Sequence, residues 1–246
     1  MGKGHVNTLI IAVSVIICVT IASVSLIALK VARNDYITVT GSATASFVSD
    51  LIVWRGSFSK TARTTKEAYE KLKNDTAAVK NYLTSSGLKE DGIIFSSINT
   101  NENYDYEYNY EGRMTKRTFT GYTLTQNVKI ESAEVDKIER ISRDITALID
   151  IGVEFLSMPP EYYYTRIDEV KLDLIKKSTE NTRLRAEAIA REAGGKLSKL
   201  RAAYLGVFQI TPENSSSESY DSGGVYDVTS KNKTAFITTR LEYLIK

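Results

Sequence analysis

The chain has 246 residues, of which 42% are hydrophobic and 25% are charged, with 32 basic and 30 acidic side chains. This is the composition of an ordinary globular protein. The single cysteine, Cys18, and the single histidine, His5, leave no residues for an internal disulfide, a Cys- or His-based metal site or a histidine-dependent catalytic triad.

An apolar run opens the chain. It extends from Leu9 to Leu29, 21 residues without a charge, and as a helix it would span roughly 31 Å, the thickness of a bilayer's hydrocarbon core. A cleaved signal peptide is the alternative, but the run exceeds the usual apolar core of such a peptide and no A-x-A site follows it. We predict a short tail at residues 1–8 and an uncleaved, lipid-contacting transmembrane anchor at residues 9–31.

The body of the chain is residues 36–246. It carries 29 of the 32 basic and 29 of the 30 acidic side chains and is therefore formally neutral, which disfavours a nucleic-acid partner. Basic residues flank the anchor on both sides, so charge bias does not orient it. A short tail before a large body is typical of a signal anchor, and we predict that the body is extracytoplasmic. It is long enough to form one large domain or two lobes, about 36–131 and 132–246.

The first half of the body alternates strands with one helix. Ala68, Leu72, Val79 and Leu83 recur at helical spacing and predict a helix over 64–86. The strands predicted around it by alternation and turn residues are 36–47, 51–58, 93–100, 104–110 and 118–130.

The second half contains two predicted helices. One carries the apolar stripe Val135, Ile138, Ile141, Ile145 and Leu148. The other covers 168–193, with a predicted inner face of Val170, Leu174, Leu184 and Ala188. The remaining predicted strands are 153–156, 162–167, 200–210 and 234–244. This order predicts an α+β fold, with mostly antiparallel sheets, amphipathic helices on one face and one preceding transmembrane helix.

Four tyrosines at a spacing of two are the first candidate site. In a strand, Tyr104, Tyr106, Tyr108 and Tyr110 would share one face, opposite acidic and amide side chains. Such a face is typical either of a hairpin packed on its own sheet or of a contact with another subunit or partner. The neighbouring acidic residues disfavour stacking on single-stranded nucleic acid.

Two polar residues in the long helix are the second candidate. Ser178 and Asn181 interrupt its apolar stripe. They mark either a contact with another subunit or solvated positions on a curved helix.

The sequence contains no convincing catalytic, cofactor or metal motif. The segment Gly194-Gly195-Lys196 follows a helix and lacks the Ser or Thr of a phosphate loop. The Ser-rich segment 213–224 has acidic residues without EF-hand spacing. We predict a protein that is not an enzyme and that needs no cofactor or metal.

Several short segments of the body resemble motifs that follow one another in the same order in the SIMPL-domain family, which includes bacterial periplasmic and outer-membrane immunogenic proteins. They are ITVTGSA at 37–43, SD at 49–50, SGL at 86–88, INT at 98–100, GYTLTQNVKI at 121–130, the glycine and strand at 152–155, and AIAREAG at 188–194. The chain resembles this family over nearly all of residues 36–246. It differs where serine replaces the usual proline before Asp50, and where we predict an uncleaved anchor in place of the signal peptide that many relatives have.

The resemblance implies an extracytoplasmic, oligomer-forming α+β protein without agreed catalytic residues, with ring- or channel-like assemblies in some members. We therefore expect a non-enzymatic single-pass protein of the bacterial inner membrane. It would self-assemble and act in envelope organisation or stress protection. The alternative is a monomeric binding module or adaptor that presents a pocket or a sheet edge to a partner protein or small ligand of unknown identity.

Overall fold

The computed structural model of the chain describes residues 12–24, 36–215 and 223–246. In these residues the α+β fold class is confirmed: antiparallel strand pairing is combined with α-helices. The helices are α1 (residues 12–24), α2 (Thr65–Ser85), α3 (Val135–Asp144) and α4 (Ile167–Glu192). The strands are β1 (Tyr36–Val48), β2 (Leu51–Ala62), β3 (Ile93–Phe95), β4 (Asn99–Tyr108), β5 (Met114–Ser132), β6 (Phe155–Ser157), β7 (Glu161–Tyr163), β8 (Leu197–Leu205), β9 (Gln209–Pro212) and β10 (Asn232–Ile245).

The strands form two sheets. One has the order β1-β10-β8, with β9 also paired to β10, and the other has the order β3-β5-β2-β6, with β4 paired to β5 and β7 to β2. Two predicted strands are each divided in the structure: 93–100 becomes β3 and the start of β4, and 200–210 becomes part of β8 and the start of β9.

Contacts divide the chain into two compact units, each assembled from segments that are distant in sequence. The first unit comprises the described residues of Met1–Ala43, Asp173–Val207 and Ile237–Lys246, and the second comprises those of Thr44–Leu172 and Phe208–Phe236.

The core of the second unit lies between α2, α3 and the β2–β5 strand pair. Every residue of the two predicted apolar stripes, from Ala68 to Leu83 and from Val135 to Leu148, is buried. The fully buried Trp54 of β2 packs among them, and its indole N–H donates to the Ser157 hydroxyl at 3.1 Å. Helical period alone identified these faces, because both helices lie on the sheet through wide apolar stripes.

The first unit packs α4 against its sheet through a different face from the one predicted. The buried positions recur every four residues: Leu174, Ser178, Thr182, Ala186 and Ala190. Leu184 is instead 52% exposed and Ala188 is also exposed, so the predicted inner face is wrong at both positions. Small side chains bring the helix close to β1, where a Cβ added to Gly41 would lie 2.4 Å from the Thr182 Oγ1.

Residues 12–24 of the predicted anchor are helical, and the rest of the 9–31 segment lies outside the described residues. Its apolar side chains are exposed, Ile16 and Ile21 by 62% and 61%. Within the three described ranges, none of the helices combines the length and the apolar character needed to cross a bilayer.

Candidate interaction surface

A two-stranded arm extends from the larger sheet of the second unit. Strand β5 pairs with β2 from Ser132 back to Tyr122, where β2 ends at Ala62. Towards its N-terminus, β5 pairs only with β4 among the described strands. We call residues 104–119, the part of this hairpin beyond β2, the arm.

The base of the arm is fixed by a glycine at a bulge. Thr120 is an extra residue on β5, between the pairs Asn103–Gly121 and Tyr104–Phe119. Gly121 has a φ of +145°, and a Cβ there would lie 2.4 Å from the Ala62 carbonyl oxygen. Bulges bend a strand and increase its twist, which directs the arm away from β2.

One face of the arm is aromatic. The ring centroids of Tyr104 and Tyr106 are 6.5 Å apart, and Phe119 of β5 lies edge-on to Tyr104 at 5.6 Å. Tyr122 continues the row, 5.1 Å from Phe119. The guanidinium of Arg117 lies over the Tyr104 ring, 3.6 Å from its centroid, in cation–π geometry. We call these five residues the aromatic face.

The other face and the tip of the arm are polar. Lys116 forms an ion pair with Glu107 at 2.8 Å, and both side chains are about 60% exposed, so water screens most of this attraction. At the tip, the Asn109 carboxamide oxygen accepts the backbone N–H groups of Glu111 and Arg113. The Asn side chain therefore closes the turn, as is common for this residue.

The arm is exposed on both faces. On the aromatic face Phe119 is 39% and Tyr106 47% exposed, and near the tip Met114 is 57% and Tyr108 63% exposed. A two-stranded hairpin alone is at best marginally stable in water, and large exposed apolar patches mark interaction sites. An arm that gives so many aromatic rings to solvent is suited to burial against a protein partner.

The structure places three of the four predicted tyrosines on one strand. Tyr104, Tyr106 and Tyr108 alternate along β4, but Tyr110 lies in the turn and is fully exposed. The Tyr104 hydroxyl donates to Glu102, and this hydrogen bond raises the pKa of the tyrosine. The prediction missed Arg117, because it started the second strand at residue 118 and so left the opposite strand of the arm too short.

The second predicted pair lies in the first unit, on α4. Ser178 is fully buried and its hydroxyl is 2.7 Å from that of Thr239 on β10. It is therefore a core residue in the folded chain, and its side chain presents no surface to another subunit. Asn181 is half-buried, and its carboxamide oxygen accepts no hydrogen bond from the described residues.

We expect Ser178→Ala to lower the free energy of unfolding by about 1–2 kcal/mol, because the buried Thr239 hydroxyl loses its partner. Urea unfolding of the full-length protein measures this change. Thr179→Ala, at the adjacent half-buried position, is the control and should change stability by less than about 0.5 kcal/mol. The oligomeric state should be unchanged in both variants. Dissociation of the Ser178→Ala variant alone would show that this residue supports a contact between subunits.

A polar cleft of about 460 Å³ in the second unit is the other candidate site. Lys60 of β2 lies 3.2 Å from the Asp75 carboxylate of α2 and donates to the Gly152 carbonyl at 2.7 Å. Burial raises the pKa of Asp75, although the ion pair with Lys60 opposes the change. Glu154 also lines the cleft. Among the described residues, no three or more His, Cys, Asp or Glu side chains lie together in a group that could hold a metal ion.

A protein-family model matches most of the chain. The family model SIMPL, described as a protein of unknown function (DUF541), matches residues 37–235. No curated protein is similar enough to the chain to be matched. The matched region begins in β1, ends in β10 and includes the whole arm, so it covers most of the chain. The chain therefore belongs to the SIMPL family.

Proposed function

We propose that this protein is a membrane-anchored, extracytoplasmic protein without enzymatic activity, and that its bodies self-assemble through the arm. The observation that carries the proposal is the exposure of the arm on both faces, with Tyr106 and Phe119 open to solvent beside Arg117. Aromatic and arginine side chains dominate the binding energy of protein interfaces. A role in envelope organisation or stress protection rests on the family resemblance.

A membrane anchor at residues 9–31 would favour this self-assembly physically. The apolar side chains of residues 12–24 are exposed along the helix, and lipid contact would remove them from water. The segment 9–31 would then hold the bodies of neighbouring copies in one membrane plane at the bacterial inner membrane. Tethering raises their local concentration, so that even a weak lateral contact can assemble them.

The mass of the full-length protein in detergent, measured by light scattering after size-exclusion chromatography, tests the proposal. We expect a discrete oligomer for the wild type. Replacing Tyr104, Tyr106, Tyr108 and Tyr110 with serine should dissociate it, because the change removes four large aromatic rings from the arm. A monodisperse wild-type monomer at micromolar concentration, or an unchanged oligomer in the variant, would contradict the proposal.

A matched control separates the arm from a general loss of surface aromatic rings. Four tyrosines elsewhere in the chain are each 46–50% exposed: Tyr36, Tyr69, Tyr204 and Tyr226. Replacing these four with serine should leave the oligomer intact.

A monomeric binding module is the second candidate function. The polar cleft favours it, because Lys60, Asp75 and Glu154 offer both positive and negative groups to a small polar ligand. A wild-type monomer in the mass measurement would favour this function over self-assembly.

A further inference from the structure

The two strands of the arm carry charges of opposite sign. Strand β4 contains Glu102, Asp105 and Glu107 and no basic residue. The part of β5 that lies in the arm, residues 114–119, contains Lys116 and Arg117 and no acidic residue. The arm is therefore acidic along one strand and basic along the other.

Both long edges of the arm are open among the described residues. Strand β4 pairs with β5 alone, so the outer edge of Tyr104–Tyr108 has free backbone groups. Strand β5 loses its β2 neighbour beyond Tyr122, so its outer edge from Met114 to Phe119 is also unpaired. Open edges of this kind are templates for a further strand. The arm thus offers one acidic edge and one basic edge.

We propose that copies of this chain join head to tail, with the β4 edge of one arm pairing with the β5 edge of the next. This inference rests on the proposed self-assembly and specifies its geometry. Pairing β4 with β4 would set Asp105 and Glu107 beside the same acidic residues, and pairing β5 with β5 would set Lys116 and Arg117 beside the same basic ones. Like charges on neighbouring strands are destabilising and opposite charges are stabilising.

The aromatic face supports the same arrangement. Within one arm, Arg117 of β5 already lies over Tyr104 of β4. A head-to-tail neighbour would repeat this arrangement across the new strand pair, with a basic strand beside the tyrosines of β4. Because the two edges differ, the contact is heterologous, and repeated contacts close into a ring or continue as a filament.

Charge reversal on one strand at a time tests the geometry. The basic-arm variant carries Asp105→Lys and Glu107→Lys, and the acidic-arm variant carries Lys116→Glu and Arg117→Glu. Each variant alone would face like charges at every head-to-tail contact. We expect the association constant of each variant to be lower than that of the wild type by a factor on the order of ten or less. Full-length protein in detergent is again measured by light scattering.

Mixing the two variants in equal amounts is the decisive measurement. In the mixture every head-to-tail contact can again join an acidic edge to a basic edge, and the oligomer should return. Within each variant arm, positions 107 and 116 still carry charges of the same sign in place of the wild-type ion pair, so recovery cannot come from restored pairing inside a single arm. If both variants are monomeric and the mixture stays monomeric, the head-to-tail geometry is wrong.

Carbodiimide coupling gives an independent measurement on the unaltered protein. It joins carboxylates to lysine amines, and a mixture of ¹⁴N- and ¹⁵N-labelled copies distinguishes coupling between chains from coupling within one. We expect mixed-isotope peptides that join Asp105 or Glu107 to Lys116. An assembled wild type that gives only single-isotope products at these residues would overturn the inference.

These outcomes separate the inference from the proposed function. A monomeric wild type removes both. An assembled wild type whose basic-arm and acidic-arm variants each assemble normally keeps self-assembly but rejects the head-to-tail arm contact.

Discussion

Replacing Lys233 with methionine is expected to lower the free energy of unfolding by about 3–5 kcal/mol, because it would leave a buried carboxylate without its counter-charge. The Lys233 side chain is wholly buried, and that of Asp227 is only 8% exposed. The ammonium group donates to the backbone carbonyl of Asp227 and lies 3.3 Å from its carboxylate. That carboxylate also accepts the backbone N–H groups of Thr229 and Ser230, so the ion pair anchors the loop before β10.

Urea unfolding of the full-length protein near neutral pH measures the loss. Lys231→Met is the matched control, two positions away. Lys231 pairs with Asp136, whose side chain is 79% exposed, and such a pair is worth at most about 1 kcal/mol. Equal losses in the two variants would show that the buried pair has no special role in stability.

The effect should depend on pH in a defined direction. Burial acts to raise the pKa of Asp227, but the hydrogen bonds from Thr229 and the charge of Lys233 outweigh it, and the pKa lies below its ordinary value of 3.8. The stability that this carboxylate contributes is therefore present above pH 3.8 and is lost as the pH falls through the lower, folded-state pKa. The deficit of Lys233→Met should shrink as the pH falls, because a neutral Asp227 needs no counter-charge.

The second large effect is expected at the base of the arm. Gly121→Ala should cost roughly 2–5 kcal/mol, the sum of backbone strain at positive φ and overpacking. The new methyl group would meet the Ala62 carbonyl oxygen, a backbone atom that cannot move aside without shifting β2. Because Gly121 sets the direction in which the arm leaves the sheet, we also expect weaker assembly, measured by light scattering on the same sample.

Gly112→Ala separates strain from overpacking. Gly112 lies in the turn of the arm with a φ of +74°, and nothing lies within 4 Å of the position that its Cβ would take. The Gly112→Ala variant should therefore lose only the free energy of left-handed backbone strain, about 1–2 kcal/mol. A Gly121→Ala variant no less stable than Gly112→Ala would show that the contact with Ala62 relaxes.

The sequence alone was sufficient where a local period decides the structure. The buried faces of α2 and α3 follow from residues such as Leu72 and Ile138, which recur at helical spacing and meet the sheet through wide apolar stripes. The tyrosine alternation likewise predicted a strand at β4. Alternation along β10 could also have pointed to the buried lysine. Lys233 lies at the same two-residue spacing as the apolar residues Ala235 and Ile237 and therefore shares their face of the strand.

Only the tertiary structure decided which surfaces are free. The open edges of the arm depend on β2 ending at Ala62 while β5 continues for eight residues towards its N-terminus, from Gly121 to Met114. The inner face of α4 depends on Gly41, which lets β1 approach Thr182 so closely that small side chains are buried in place of Leu184. Both are relations between segments distant in sequence, and local periodicity contains no information about how closely such segments approach.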